Sequence, residues 1–207
     1  MKDPYVYQGT ETLVNLFNER NEDRLREIEA NYTSLRLRQL VENPLQGHFS
    51  FSHLCKMHHF IFRDLYKWAG KPRTVNIEKA EAVLGGFSVQ YSDTKNIKSE
   101  AVEVLKSFKN INWTSGKIET TSKNFSKHMA TLWKIHPFRE GNTRTIINFC
   151  CDMAEFYGHA INRELFEQNS LYVRNALVAA SAVFDDLGDK SNPKYLQRIV
   201  LDALSGE

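Results

Sequence analysis

The segment HPFREGNTRT, His136 to Thr145, gathers a histidine, a glutamate, a Gly-Asn pair and two arginines between two apolar helical stretches. Pro137 discourages the helix ending at His136 from continuing, because the residue before a proline is pushed out of the right-handed helical region. Phe138 is apolar and suited to anchoring the loop in a core, so that the polar residues around it project outward. Gly141 permits a backbone conformation or a close approach that a Cβ would block. A new helix begins near Asn142, and its free N–H groups point back into the loop. Such a helix start is an anion site, with phosphate as its natural occupant. Arg144, one turn in, can return a guanidinium fork to the same phosphates. Glu140 is an oxygen ligand suited to Mg2+, which takes one or two carboxylates together with phosphate oxygens and waters. His136 stands beside them as a base able to take a proton from an attacking hydroxyl near neutral pH. Together these residues point to phosphoryl or nucleotidyl transfer, a chemistry that depends on positioning and charge stabilisation.

The elements that must hold this loop are helical. ETLVNLFNE places Leu13, Leu16 and Phe17 on one helical face, and EDRLREIEANYTSLRLRQL repeats apolar residues at Leu25, Ile28, Tyr32, Leu35 and Leu40 before Pro44. Ser52 is a candidate cap for the apolar-rich helix HLCKMHHFIFRDLYKWAG, stopped by Gly70 and Pro72. The texture changes over residues 73–91, where RTVNI is β-branched, GG signals a turn and FSVQY alternates, which predicts an irregular β-hairpin. Helices resume at 94–111, capped by Asp93 or Thr94, and at 121–135; another runs from Asn142 to a C-cap at Gly158. Segments 169–185 and 193–204 are helical as well. The expected fold is all-α with one small β-hairpin, in a single domain over residues 1–207.

Composition narrows the function classes. A net charge of +2 gives no broad field that would draw the molecule onto nucleic acid or anionic lipid. No apolar run approaches the roughly 20 residues that a membrane span requires, and MKDPYVYQGT has no apolar signal-peptide core. The vicinal pair Cys150-Cys151 lies on an apolar helix and reads as reduced thiols, so a cytoplasmic protein without nucleic-acid or membrane partners is expected.

At its loop the chain resembles the Fic (filamentation) family, whose signature H-P-F-x-D/E-G-N-G-R is met here by HPFREGNTR. The likeness extends to DPYVYQGT near the start and to FSHLCKMHHFIFRDLYKWAGKPRTVNI in the middle. It implies a helical fold with a β-hairpin flap and transfer of AMP from ATP to a Ser, Thr or Tyr hydroxyl of a target protein. By motif position it implies His136 as the base and Glu140 as the Mg2+ ligand. Nucleotide contacts would come from Arg139, Gly141, Asn142 through its side chain, Thr143 and Arg144, although the side chain of Arg139 is equally suited to solvent. The flap would dock the target as an added strand, with Ile77, Glu78, Gly86 and Phe87 as candidate contacts.

Two positions depart from the pattern. Thr143 stands where the family has glycine, and Ile147 stands where many members carry a second arginine on the terminal phosphate. Transfer of phosphate or of another phosphate-linked group is therefore an alternative, and so is an inactive nucleotide-binding interaction module. No complete Ser/Thr-x-x-x-Glu-Gly/Asn inhibitory pattern occurs in the sequence, so any restraint is expected from a small antitoxin-like protein or from residues beyond Glu207. His58 and His59 point about 100° apart on a helix and read as core or surface histidines rather than a metal pair. Trp68 and Trp133 read as core.

Overall fold

Asn21 opens the first helix, its side chain accepting the Arg24 N–H while Glu22 and Asp23 fill the first turn. This helix, α1 (Glu22–Glu42), ends before Pro44 as the sequence predicts. The computed structural model describes residues 3–113 and 117–206. After α1 come α2 (Phe51–Phe62), α3 (Ile97–Phe108), α4 (Ile118–Ile135) and α5 (Asn142–Phe156). The chain then continues through α6 (Arg163–Gln168), α7 (Ser170–Ala180) and α8 (Lys194–Ser205). Among the described residues one two-stranded antiparallel sheet forms, β1 (Val183–Phe184) with β2 (Gly188–Asp189). The architecture is thus mainly helical with a minor β element, as expected.

The α4–loop–α5 unit lies at the centre. Phe125, Met129, Leu132 and Trp133 of α4 and Ile146, Phe149, Cys150 and Met153 of α5 are all buried. They join Leu54, Met57, Ile61 and Phe62 of α2 and Leu196, Ile199 and Val200 of α8 in one cluster. Each such side chain stabilises the fold by about 1.5–3 kcal/mol when fully buried. The loop that carries the polar chemistry is therefore clamped at both ends by the best-packed helices.

Four local expectations are corrected. Residues 11–19 form turns instead of a helix. The Asn15 side chain donates to the Leu13 and Glu19 carbonyls and accepts from the Phe17 and Glu19 N–H groups, offering the backbone an alternative to helix. Ser50, not Ser52, caps α2 through the His53 N–H, and that helix ends at Phe62, with turns leading to Gly70. Segment 73–91 contains no strand, only a 3-10 turn at Ala82–Leu84. Side chains take the backbone groups that a ladder would need: Arg73 donates to the Val75 and Ser92 carbonyls, and the Ser88 hydroxyl accepts the Lys79 N–H. The small sheet instead closes what was read as the end of a helix over 169–185, where Gly188 adopts a φ of +71° beside the β-branched and aromatic Val183 and Phe184.

Candidate active site

His136 is the residue at which α4 stops, with a φ of +50°. A left-handed conformation costs a non-glycine residue about 1–3 kcal/mol and persists where its surroundings enforce it. Arg73 enforces it here. Its Nε–H donates to the His136 carbonyl at 2.8 Å and its backbone N–H donates to the Pro137 carbonyl at 2.8 Å. The same guanidinium reaches the carbonyls of Val75 and Ser92, so the segment over the site is tied at both ends to the loop.

The loop is braced from within. The Asn142 side chain accepts the Phe138 N–H at 2.9 Å and donates to the Phe138 carbonyl at 2.7 Å. These two bonds fix the carboxamide against the loop backbone at the start of α5. Phe138 stacks on His58 at 3.8 Å, and His58 on Phe62 at 4.6 Å. The His58 Nδ1 accepts the Gly70 N–H at 2.8 Å, so its Nε2 bears the proton and donates to the Glu140 carbonyl at 3.0 Å. Burial, opposed by that hydrogen bond, brings the His58 pKa down to about 3. His58 is a core histidine, as expected, yet it is also one of the groups that fix the loop. Gly141 takes a φ of +79°, and a Cβ there would lie 2.2 Å from the Phe62 ring. The first bond of α5 runs from the Thr145 N–H to the Gly141 carbonyl, so the amides of residues 142–144 lack an intrahelical acceptor.

Two charged groups face this helix start. The Glu140 carboxylate accepts the Gly141 N–H at 2.9 Å through Oε1 and pairs with the Lys79 ammonium at 3.2 Å through Oε2. Burial pushes its pKa up, but Lys79, the Gly141 amide, Arg144 and His136 outweigh that and hold it at about 2. Arg144 pairs with Glu29 of α1, donates to the Thr33 hydroxyl at 3.0 Å and lies over the Phe62 ring at 4.9 Å. Thr143 turns its hydroxyl to accept the Trp133 indole N–H at 2.9 Å.

His136 is buried, and neither ring nitrogen has a hydrogen-bond partner among the described residues. Its ring lies 4.1 Å from that of Tyr91 and meets Trp133 edge-on at 5.3 Å. Burial, then the nearby Lys79 and Arg73, push its pKa well below 6.5 against the opposing pull of Glu140. The imidazole is thus neutral and able to accept a proton. A cavity of about 170 Å³ opens in front of it, bounded by Trp133, Glu140, the 141–144 turn, Lys79 and Arg174.

The structure thus brings together His136, Glu140, Gly141, Asn142, Thr143 and Arg144 of the sequence-predicted residues. Arg139 points elsewhere: it pairs with Asp3 at 2.9 Å and lines a second cavity with Glu29 and Tyr66. Ile77 is half-buried and Glu78, Gly86 and Phe87 are exposed, and none of the four bounds the His136 cavity. Lys79 does, one residue beyond Glu78. Sequence reasoning also missed Arg73, Glu81 and Arg174. A lone lysine or arginine in an irregular or amphipathic stretch carries no spacing signal, because its partners lie tens of residues away.

A family model described as the Fic/DOC family matches residues 48–153, which include the whole loop and α2 to most of α5. The chain is 28% identical over 170 residues to the protein adenylyltransferase VbhT of Bartonella schoenbuchensis, covering 82% of this chain and 34% of that protein. It is 29% identical over 170 residues to the probable protein adenylyltransferase y4lH of Sinorhizobium fredii, covering 81% and 83%. The chain spans about a third of the length of VbhT and 38% of a Bartonella henselae protein adenylyltransferase. Among solved structures, BepC of Bartonella tribocorum with bound AMPPNP superimposes with a TM-score of 0.78 at 19% identity, over 96% of this chain and 95% of that one. With its loop, its helical frame and the family match over residues 48–153 in agreement, this chain belongs to the Fic/DOC family.

Proposed function

We propose that this chain transfers AMP from ATP to a Ser, Thr or Tyr hydroxyl of another protein. The observation that carries this reading is His136: a buried, neutral imidazole with both nitrogens unpartnered, facing a cavity at a helix start. Leaving such a group unsatisfied costs about 1–3 kcal/mol, and a reacting hydroxyl supplies the partner. The hydroxyl proton passes to His136 as the oxygen attacks the α-phosphorus. The bond to the β-phosphate breaks, and pyrophosphate leaves with the electron pair. The amides of residues 142–144 stabilise the charge that gathers on the phosphate oxygens. The adenylyltransferase names of VbhT and y4lH and the AMPPNP held by BepC support the choice of group.

Mg2+ belongs to the proposal through Glu140. Among the described residues no cluster of three or more acidic, His or Cys side chains could hold a metal alone. One ionised carboxylate suits Mg2+ when phosphate oxygens and waters complete the shell, so Glu140, which pairs with Lys79 at 3.2 Å, would be the residue that holds the metal beside the nucleotide phosphates. Bound there, it would neutralise charge on the phosphates. Among the described residues no helix is long and apolar enough to cross a membrane. A cytoplasmic setting, and restraint by a separate small inhibitor protein, complete the proposal.

ATP labelled separately at the α- and γ-phosphates, incubated with the chain, Mg2+ and a lysate, tests the reading. Label from the α position should appear on target protein and be abolished by His136→Ala, with nucleotide binding nearly unchanged. Label from the γ position alone would replace AMP transfer by phosphotransfer. Equal absence of label with wild type and variant would leave a nucleotide-binding module without catalysis.

A further inference from the structure

We propose that Arg174 of α7 is a phosphate-recognition residue of this site, gripping the terminal phosphate of the nucleotide. The proposal rests on the nucleotide-transfer reading above. Three cations bound the cavity, and they are not equally available. The side chain of Arg174 is 39% exposed, against 31% for Arg144 and 27% for Lys79. All three are paired with a carboxylate, Lys79 with Glu140, Arg144 with Glu29 and Arg174 with Glu81, and Arg144 also donates to the Thr33 hydroxyl, so exposure is what sets Arg174 apart. From α5 no second cation arrives, because Ile147, one turn beyond Thr143, is buried in the core.

The partner of Arg174 explains its geometry. Its two terminal nitrogens donate to the two oxygens of Glu81 at 2.8 and 2.9 Å. Glu81 is 3% exposed and cannot leave, since its backbone also bonds Phe87, Leu84 and Gly86. A guanidinium held end-on by one carboxylate keeps its Nε–H and one outer N–H on each terminal nitrogen. The Nε–H and the outer N–H of the terminal nitrogen beside it point the same way and form a preoriented edge, and an arginine edge matches two phosphate oxygens in a way a point charge does not. Because Glu81 fixes the fork in advance, little side-chain freedom remains to be lost on binding. A polyphosphate that starts at His136 and the α5 helix start needs such a cation at its far end.

Affinities of the full chain for ATP, ADP and AMP, measured calorimetrically with Mg2+, test this. The Glu81→Gln/Arg174→Gln double variant keeps a neutral hydrogen-bonded pair and avoids stranding a buried carboxylate. It should lose about tenfold or more in ATP affinity while AMP affinity stays within about twofold, a ratio that a purely structural role would not change. Should that variant fail to fold, Arg174→Lys decides: it retains the charge facing Glu81 but not the fork, and should lose about fivefold for ATP against AMP. An ATP-to-AMP ratio equal to wild type in the folded variant overturns the assignment of Arg174 and leaves the nucleotide reading intact. Wild type that binds none of the three nucleotides sinks both.

Discussion

Gly141 joins two constraints that would each be met by other means at most positions. Its φ of +79° is left-handed, and its Cα faces the closed ring of Phe62 so nearly that an added Cβ would sit 2.2 Å away. Phe62 is fully buried and stacked between neighbours, with Arg144 over its face, so it has no room to swing aside. Gly141→Ala should therefore combine a left-handed strain of roughly 1–2 kcal/mol with overpacking of about 1–3 kcal/mol. Urea unfolding of Gly141→Ala, Phe62→Leu and the double variant separates the two. The Leu side chain relieves the overpacking but not the strain, so the double variant should be more stable than the two single losses added together. Simple additivity would show that Phe62 already yields. The conformational role of this glycine was legible in the loop from the sequence. Its second role was not, because Phe62 approaches from 79 residues earlier.

The covering segment illustrates what periodicity can and cannot convey about an element. The α4, α5 and α8 helices follow apolar repeats and end near their Pro, Gly or cap signals, because the core they face selects one side of each helix. Of the face expected for α1, by contrast, only Leu25 and Leu40 are buried, and Tyr32 and Leu35 are exposed. Residues 73–91 carry β-branched and alternating residues yet form no ladder, since their shape comes from the side chains of Arg73 and Ser88 bonding backbone and from the Tyr91 hydroxyl donating to the Glu81 carboxylate. Such bonds leave no period in a sequence. If Arg73 suspends the segment, Arg73→Gln should lower stability on the order of 3 kcal/mol, the scale of charge-assisted bonds removed from buried carbonyls. Amides of residues 73–92 should then exchange with solvent at least about tenfold faster, while those of α8 change only as far as global stability does. Unaltered protection of 73–92 in Arg73→Gln would mean that packing, not this guanidinium, holds the segment in place. The site was legible wherever chemistry lay in one loop, and illegible wherever a covering segment or α7 delivered it from a distance.

At the scale of the whole molecule, the titrating groups buried around the core set a pH window. His58 is held neutral with a pKa of about 3, and His136, His53 and His128 are all shifted below 6.5, each first by burial. An unfolded chain binds protons on these rings as the pH falls through 6.5, whereas the native chain binds them only at lower pH. Their contribution is therefore complete above 6.5 and is lost as the pH falls, down to about 3 for His58. Between 6.5 and about 3 His58 contributes a slope of about 1.4 kcal/mol per pH unit. The other histidines add to it in the same direction, and Glu140, held at about 2, steepens the fall below its ordinary 4.5. At the other end Cys151 is pushed up to about 12 by burial, and Cys150 also lies well above 9. These thiols are native-state acids kept neutral, so their contribution is complete below 9 and is lost as the pH rises through the alkaline range. Urea midpoints measured from pH 4 to 10 should thus be level between about 7 and 8.5 and fall on both sides, with an acid slope of more than one proton. His58→Gln should reduce that acid slope by about one proton, because the unfolded chain then has one fewer site to protonate. A wild-type acid limb without slope would mean that protons reach these rings in the folded state, and with them the His136 imidazole whose neutrality the proposed transfer requires.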